Sequence, residues 1–76
     1  MSDTILDMDF VLVDKLTPDQ LETGDLIEVD NEVVTVNEVS DDSTGDYYIV
    51  SFENEFGEKD LTKFFYTDNI NLFILQ

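Results

Sequence analysis

The stretch 24-GDLIEVDNEVVTV-36 decides how this chain folds. Ile27 and Val29 fall on one side of an extended strand, Glu28 and Asp30 on the other, the period of two that marks a half-buried strand. Asp30-Asn31 is a turn pair, although the glycine favoured at its second position is missing. Val33, Val34, Val36 and Val39 carry the return strand, and the alternation slips near Asn37, which predicts a β-bulge there. The segment reads as an antiparallel hairpin with one wet face. On that face Asp25, Glu28, Asp30 and Glu32 supply every charge, and all are negative. A solvent-facing strand normally mixes Lys with Glu, because mixed signs limit self-repulsion.

Toward the N-terminus, Phe10, Val11, Leu12 and Val13 form a short apolar run that predicts a first strand. Thr17-Pro18-Asp19-Gln20 then combines an N-cap residue, a proline at the first helical position, an acid in the first turn and a glutamine at the capping-box position. Gly24 follows so soon that the element is one or two turns at most, anchored by Leu16 and Leu21. Residues 1–8 mix Ile5, Leu6 and Met8 with Asp3 and Asp7 and are expected to form a flexible arm or a short element against the body. Toward the C-terminus, 41-DDSTGD-46 is a loop. Residues 47–53 make a strand with Tyr48, Val50 and Phe52 on one face and Tyr47 and Ile49 on the other. Residues 54–57 turn the chain into a further segment, 58–66, Asp68-Asn69 turns it again, and residues 70–75 end as a strand. The expected fold class is mostly β: a single domain over residues 1–76, with five short strands and one short helical turn in a small, partly open barrel.

The residues 21-LETGDLIEVDNEVVTV-36 resemble the opening of SH3-like barrels, which begin with a Gly-Asp pair, an aliphatic strand, a tight acidic turn and a valine-rich return. The residues 47-YYIVSFENEFGEKD-60 resemble the hairpin that follows. Asn31 stands where that pattern has glycine. The resemblance covers residues 21–75 and implies an SH3-like barrel core. It implies no function, because folds of this kind serve unrelated partners.

Nineteen Asp and Glu against three Lys and no Arg or His give a net charge of −16 in 76 residues. Such acidity can accompany disorder, but six Phe, three Tyr and an abundance of Val and Ile mark a chain that folds. With no cysteine and no histidine, disulfides, thiolate zinc sites and the usual general base are absent. The loop at 41–46 departs from a calcium-binding EF-hand, with Asp46 where glycine is needed and Phe52 where the closing glutamate belongs. Neither a metal nor another cofactor is expected. Paired carboxylates are plentiful, but a barrel this small offers little volume for a substrate cleft, so no enzymatic activity is expected. No apolar run reaches membrane-spanning length, and 1-MSDTILDMDF-10 lacks a basic leader, which predicts a cytoplasmic protein. Tyr47, Tyr48, Phe52, Phe56, Phe64, Phe65 and Tyr66 are rings of the kind that cage methylated lysine, but they are expected mostly to fill the core. Direct binding of nucleic acid is not expected, because Lys15, Lys59 and Lys63 are the only cations.

The charge is the remaining signal. A compact chain of this length has a radius of gyration of roughly 11 Å and a diameter near ~30 Å. Duplex DNA of that length carries about 18 charges, the same magnitude as this protein. In composition, size and lack of catalytic groups the chain resembles phage-encoded acidic DNA-mimic inhibitors, among them inhibitors of the histone-like HU protein. That resemblance implies a basic DNA-binding partner, such as nucleoid-associated HU, and inhibition by occupying its DNA-binding surface. The acids expected at the interface are Glu28, Asp30 and Glu32 of the first hairpin, Asp41, Asp42 and Asp46 of the loop, and Glu53, Glu55, Glu58 and Asp60 of the second hairpin. The apolar runs 64–66 and 70–75 predict a homodimer through the C-terminal strand. Three other readings compete: acidity kept for high salt or solubility, an SH3-like interaction module that reads a peptide through exposed aromatics, and a phage structural or assembly component.

Overall fold

The computed structural model describes residues 10–42 and 45–75, so the expected arm at 1–8 lies outside it. Six strands form, β1 (Phe10–Leu16), β2 (Leu26–Val29), β3 (Glu32–Asp41), β4 (Tyr47–Glu53), β5 (Lys59–Phe65) and β6 (Ile70–Leu75). One 3-10 turn, Pro18–Gln20, lies between β1 and β2. All neighbouring strands are antiparallel, in the order β1-β6-β2-β3-β4-β5. The fold is mostly β as expected, but with six strands rather than five. The additional strand is β1, begun by the expected apolar run at Phe10 and paired with β6 through six of its seven residues, from Phe10↔Leu75 to Leu16↔Ile70, with an irregularity at Val13.

The hairpin forms without glycine. Its register, Val29↔Glu32, leaves a two-residue turn in which Asp30 and Asn31 have φ of 51° and 69°. Positive φ at both positions gives the primed turn whose twist matches the strands, and Asp and Asn reach it at modest cost. The bulge falls between Val36 and Glu38, where the alternation slips. The 3-10 turn stops after one turn because Leu21 is already extended, and the Gln20 side-chain oxygen accepts the Thr17 N–H at 3.2 Å.

The sheet cannot be flat. In the sheet, β4, β3 and β2 separate β5 from β6, yet only residues 66–69 connect them. At ~4.8 Å per strand the two would lie about 19 Å apart before any offset along the strands. Five extended residue steps span roughly 17 Å, and here the chain also turns, with the Asp68 N–H donating to the Phe65 carbonyl at 2.9 Å. The sheet therefore rolls, and its inner face closes around Ile27, Val36 and Val50, each 0% exposed. Val34, Ile70, Phe52 and Leu21 complete the core, Leu21 reaching it from the segment after the 3-10 turn. The edge strands β1 and β5 are not paired with each other, so the roll stays open.

Phe52 is the only buried member of the seven rings expected to fill this core, with Tyr48 and Phe64 half-buried. Tyr47 and Phe65 point outward as a cross-strand pair, Phe56 sits on a turn and Tyr66 follows the end of β5; all four are exposed. A narrow roll is filled by β-branched aliphatic residues from its central strands, which leaves most large rings outside. The molecule extends 51 × 24 × 18 Å with a radius of gyration of 13.3 Å, longer than the ~11 Å of a compact chain. Part of that length is a ribbon, because β2 pairs with β6 only at Leu72 and Phe73 while β1 follows β6 to Leu75.

Candidate protein-interaction surface

Residues paired across strands share a face, so the register sorts every strand side chain. On the outer face one row crosses the whole sheet: Leu12, Phe73, Leu26, Thr35, Glu53, Lys59. Beside it, Lys15 pairs with Asn71, and the Asn71 amide donates to Glu28 Oε1 at 3.0 Å. Farther along lie Glu38 opposite Ser51, and Lys63 opposite Ile49. The Lys63 ammonium lies 5.2 Å from the centre of the Tyr47 ring and 3.4 Å from Asp42 Oδ2. Tyr47, Phe65 and Tyr66 stack edge-on and tilted at 5.4 and 4.9 Å. The Lys63 ammonium thus lies over one ring and beside one carboxylate. Among the described strand residues the outer face carries three Glu and all three Lys, for a net charge of zero.

The other thirteen acids among the described residues lie on the inner face or in connections that hold no lysine, and one of them, Asp42, reaches Lys63 of the outer face. Asp19, Glu22 and Asp25 lie on the segment covering the core; Asp30 and Glu32 at the β2–β3 turn; Asp41, Asp42 and Asp46 at the β3–β4 loop. Glu55, Glu58 and Asp60 lie at the β4–β5 turn and the start of β5, with Asp14 and Asp68 at the ends of neighbouring elements. Several are held by backbone groups. Asp25 accepts the Glu22 N–H, Asp60 the Leu61 N–H and Asp68 the Phe65 N–H, each at 2.8 Å. Glu58 accepts from the Asn54 amide at 2.8 Å, while Asn54 Oδ1 accepts the Phe56 and Glu58 N–H groups at 2.9 Å. Among the described residues no three acids converge as a metal site requires; they are spaced along the surface.

Of the ten expected interface acids, Glu32, Asp41 and Asp60 lie on the inner face, Asp30, Asp42, Asp46, Glu55 and Glu58 in connections, and Glu28 and Glu53 on the outer face with the lysines. A two-residue turn makes Glu28 pair with Val33 and Glu32 with Val29, so the two glutamates must lie on opposite faces. Glu53 lies on the outer face opposite Lys59. Glu32 and Glu55 come together around an open depression of about 270 Å³, lined also by Phe10, Val33, Asn54 and the projecting Phe56. Asp19 was not among the expected residues. Tyr48 shows where it lies: partial burial of the ring pushes its hydroxyl above the ordinary pKa, and the charges of Asp41 and Asp19 add to the rise. The charge of Asp19 on the 3-10 turn is therefore within electrostatic reach of Tyr48 on β4. Its local signal was only that of a first-turn acid, and nothing local encodes that approach.

Among the described residues no helix is long and apolar enough to cross a membrane. No protein-family model, no curated protein and no solved structure matches this chain.

Proposed function

We propose that this protein is a non-enzymatic DNA mimic of the kind phages encode, acting in a host cytoplasm. It would occupy the DNA-binding surface of a basic protein, with a nucleoid-associated protein such as HU as the leading candidate. The observation that supports this reading is the distribution of charge: of the sixteen acids among the described residues, thirteen lie on the inner face or in connections that hold no lysine, and the outer face carries three glutamates with the three lysines. The scaffold we assign is the SH3-like one, whose rolled sheet holds the carboxylates at fixed spacing without a cofactor.

The match to DNA is to one phosphate row rather than to a duplex. A duplex as long as the 51 Å molecule carries about 30 charges, so the parity expected from a ~30 Å body does not hold. One strand of that length carries about 15 phosphates, close to the thirteen acids that lie off the outer face among the described residues. A basic groove that closes on these acids releases counterions and is steered to them at long range.

The test is competition between this protein and duplex DNA for purified HU across a salt series. Mutually exclusive binding that weakens by ~10³-fold or more between 50 and 200 mM salt is the expected result. Salt-insensitive binding, or simultaneous binding of DNA, would overturn it. A second reading is favoured by the depression beside Phe56: an SH3-like interaction module that takes a peptide there. An aromatic peptide groove depends far less on salt, so the same series separates the two readings.

A further inference from the structure

We propose that a second copy of this chain docks on the outer face of β1, β6 and β2, with a two-fold axis running along β6. This proposal is independent of the DNA-mimic reading. The surface is apolar and contiguous: Phe10 pairs with Leu75, and Leu12 with Phe73, which in turn pairs with Leu26. Phe10, Leu12 and Leu75 remain 40%, 49% and 50% exposed. Together they form a contiguous exposed apolar patch, the kind of feature that marks an interaction site.

Charge selects the occupant. Outside this face the described residues carry an excess of thirteen negative charges, so two copies meet with least repulsion where the net charge is zero. A cationic partner is drawn to the opposite side instead, and an anionic one is repelled by the molecule as a whole.

The register makes the face complementary to itself. A two-fold axis along β6 lays β1 of one copy over β2 of the other. Lys15 on β1 and Glu28 on β2 flank Asn71 of β6 in one row. The rotation places each Lys15 opposite Glu28 of the second copy, twice over. In the next row it places Leu12 opposite Leu26 and Phe73 opposite its own equivalent. Such an isologous pairing of sheet faces at about 10 Å leaves the acidic sides of both copies pointing away from each other. The C-terminal strand contributes through its face rather than its edge, since β6 lies between β1 and β2.

Sedimentation of the full chain over a concentration series tests this, with mass as the readout. The wild type is expected to dimerise reversibly and Leu12→Glu to remain monomeric, while Leu61→Glu, at the far end of the same face, dimerises like the wild type. Lys15→Glu and Glu28→Lys are each expected to weaken the dimer roughly tenfold or more. The double reversal Lys15→Glu/Glu28→Lys, which restores opposite charges across the axis, should recover most of that loss. A wild type that stays monomeric at ~1 mM, a Leu12→Glu variant that dimerises normally, or a double reversal no better than the single ones would each overturn the proposal.

Discussion

The inner and outer faces of the sheet are made by the same six strands under different constraints. Inside, Ile27, Val34, Val36, Val50 and Ile70 are all but removed from water, and no charged residue is buried among the described residues. Outside, Leu12, Phe73 and Leu26 share a row with Thr35, Glu53 and Lys59, and the charges cancel. The lysines explain the outer pattern. Lys15 lies on β1 and Lys59 and Lys63 on β5, the two edge strands, and the four strands between them have none. An edge strand presents unpaired backbone groups to any other chain, and a lysine there is a common defence. This chain thus uses its few cations at the edges of the sheet, and the connections are left wholly acidic. The missing lysines noted in the first hairpin follow from its position: β2 and β3 are interior strands and have no edge to guard.

The largest contrast between the faces should be in stability. Ile27→Ala is expected to cost about 2–5 kcal/mol, because the roll can collapse only partly around the cavity. A domain this small has little more than that in total, so the variant should be largely unfolded without a stabilising additive. Leu61, 63% exposed on the outer face of β5, should tolerate alanine with a change within ~0.5 kcal/mol. Urea denaturation of the two variants measures the difference directly. Equal losses would mean that the two faces are not distinguished by burial.

Period-two alternation made much of this legible in the sequence. The residues of the first hairpin, the bulge near Asn37, the faces of residues 47–53 and the turn at Asp68 all follow from local pattern. The strand order does not, because the pairing of β6 with both β1 and β2 joins residues far apart in the chain. The exposure of Tyr47, Phe65 and Tyr66 depends on the roll, which no single segment specifies. The segregation of charge was hidden for a related reason. Each acid looks alike in sequence, and only the register across the strands shows that Glu28 and Glu53 share a face with the lysines while Glu32 does not.

A smaller effect, of opposite sign on the two sides, tests that segregation. Glu32→Gln and Glu55→Gln each remove one of two negative charges that line the same depression and should raise stability by a few tenths of a kcal/mol at ~0.01 M salt. The gain should vanish near ~1 M, where the screening length falls from about 30 Å to about 3 Å. Glu28→Gln removes a charge that sits in a row with Lys15 and the Asn71 amide, so it should lower stability by a similar amount. Thermal melts of the three variants at both salt concentrations check the signs. A gain from all three would mean that repulsion is spread over the whole molecule.

The smallest effect concerns Tyr48 on β4, which pairs with Asp41 at the end of β3. Its hydroxyl is pushed above the ordinary 10.0 by partial burial first, and then by Asp41 across the strand pair and Asp19 from the 3-10 turn. All three causes oppose formation of a phenolate, so the folded state holds the proton more tightly than the unfolded chain does. The resulting contribution to stability is complete below the unfolded pKa. It is lost as pH rises from that value through the higher folded one, because only the unfolded chain has then released its proton. Alkaline titration followed by tyrosinate absorbance should therefore show one ring ionising late. Asp41→Asn and Asp19→Asn should each bring that midpoint back toward 10.0, with the burial contribution left in place. If Asp41→Asn moves it and Asp19→Asn does not, the charge on the 3-10 turn does not reach the Tyr48 ring.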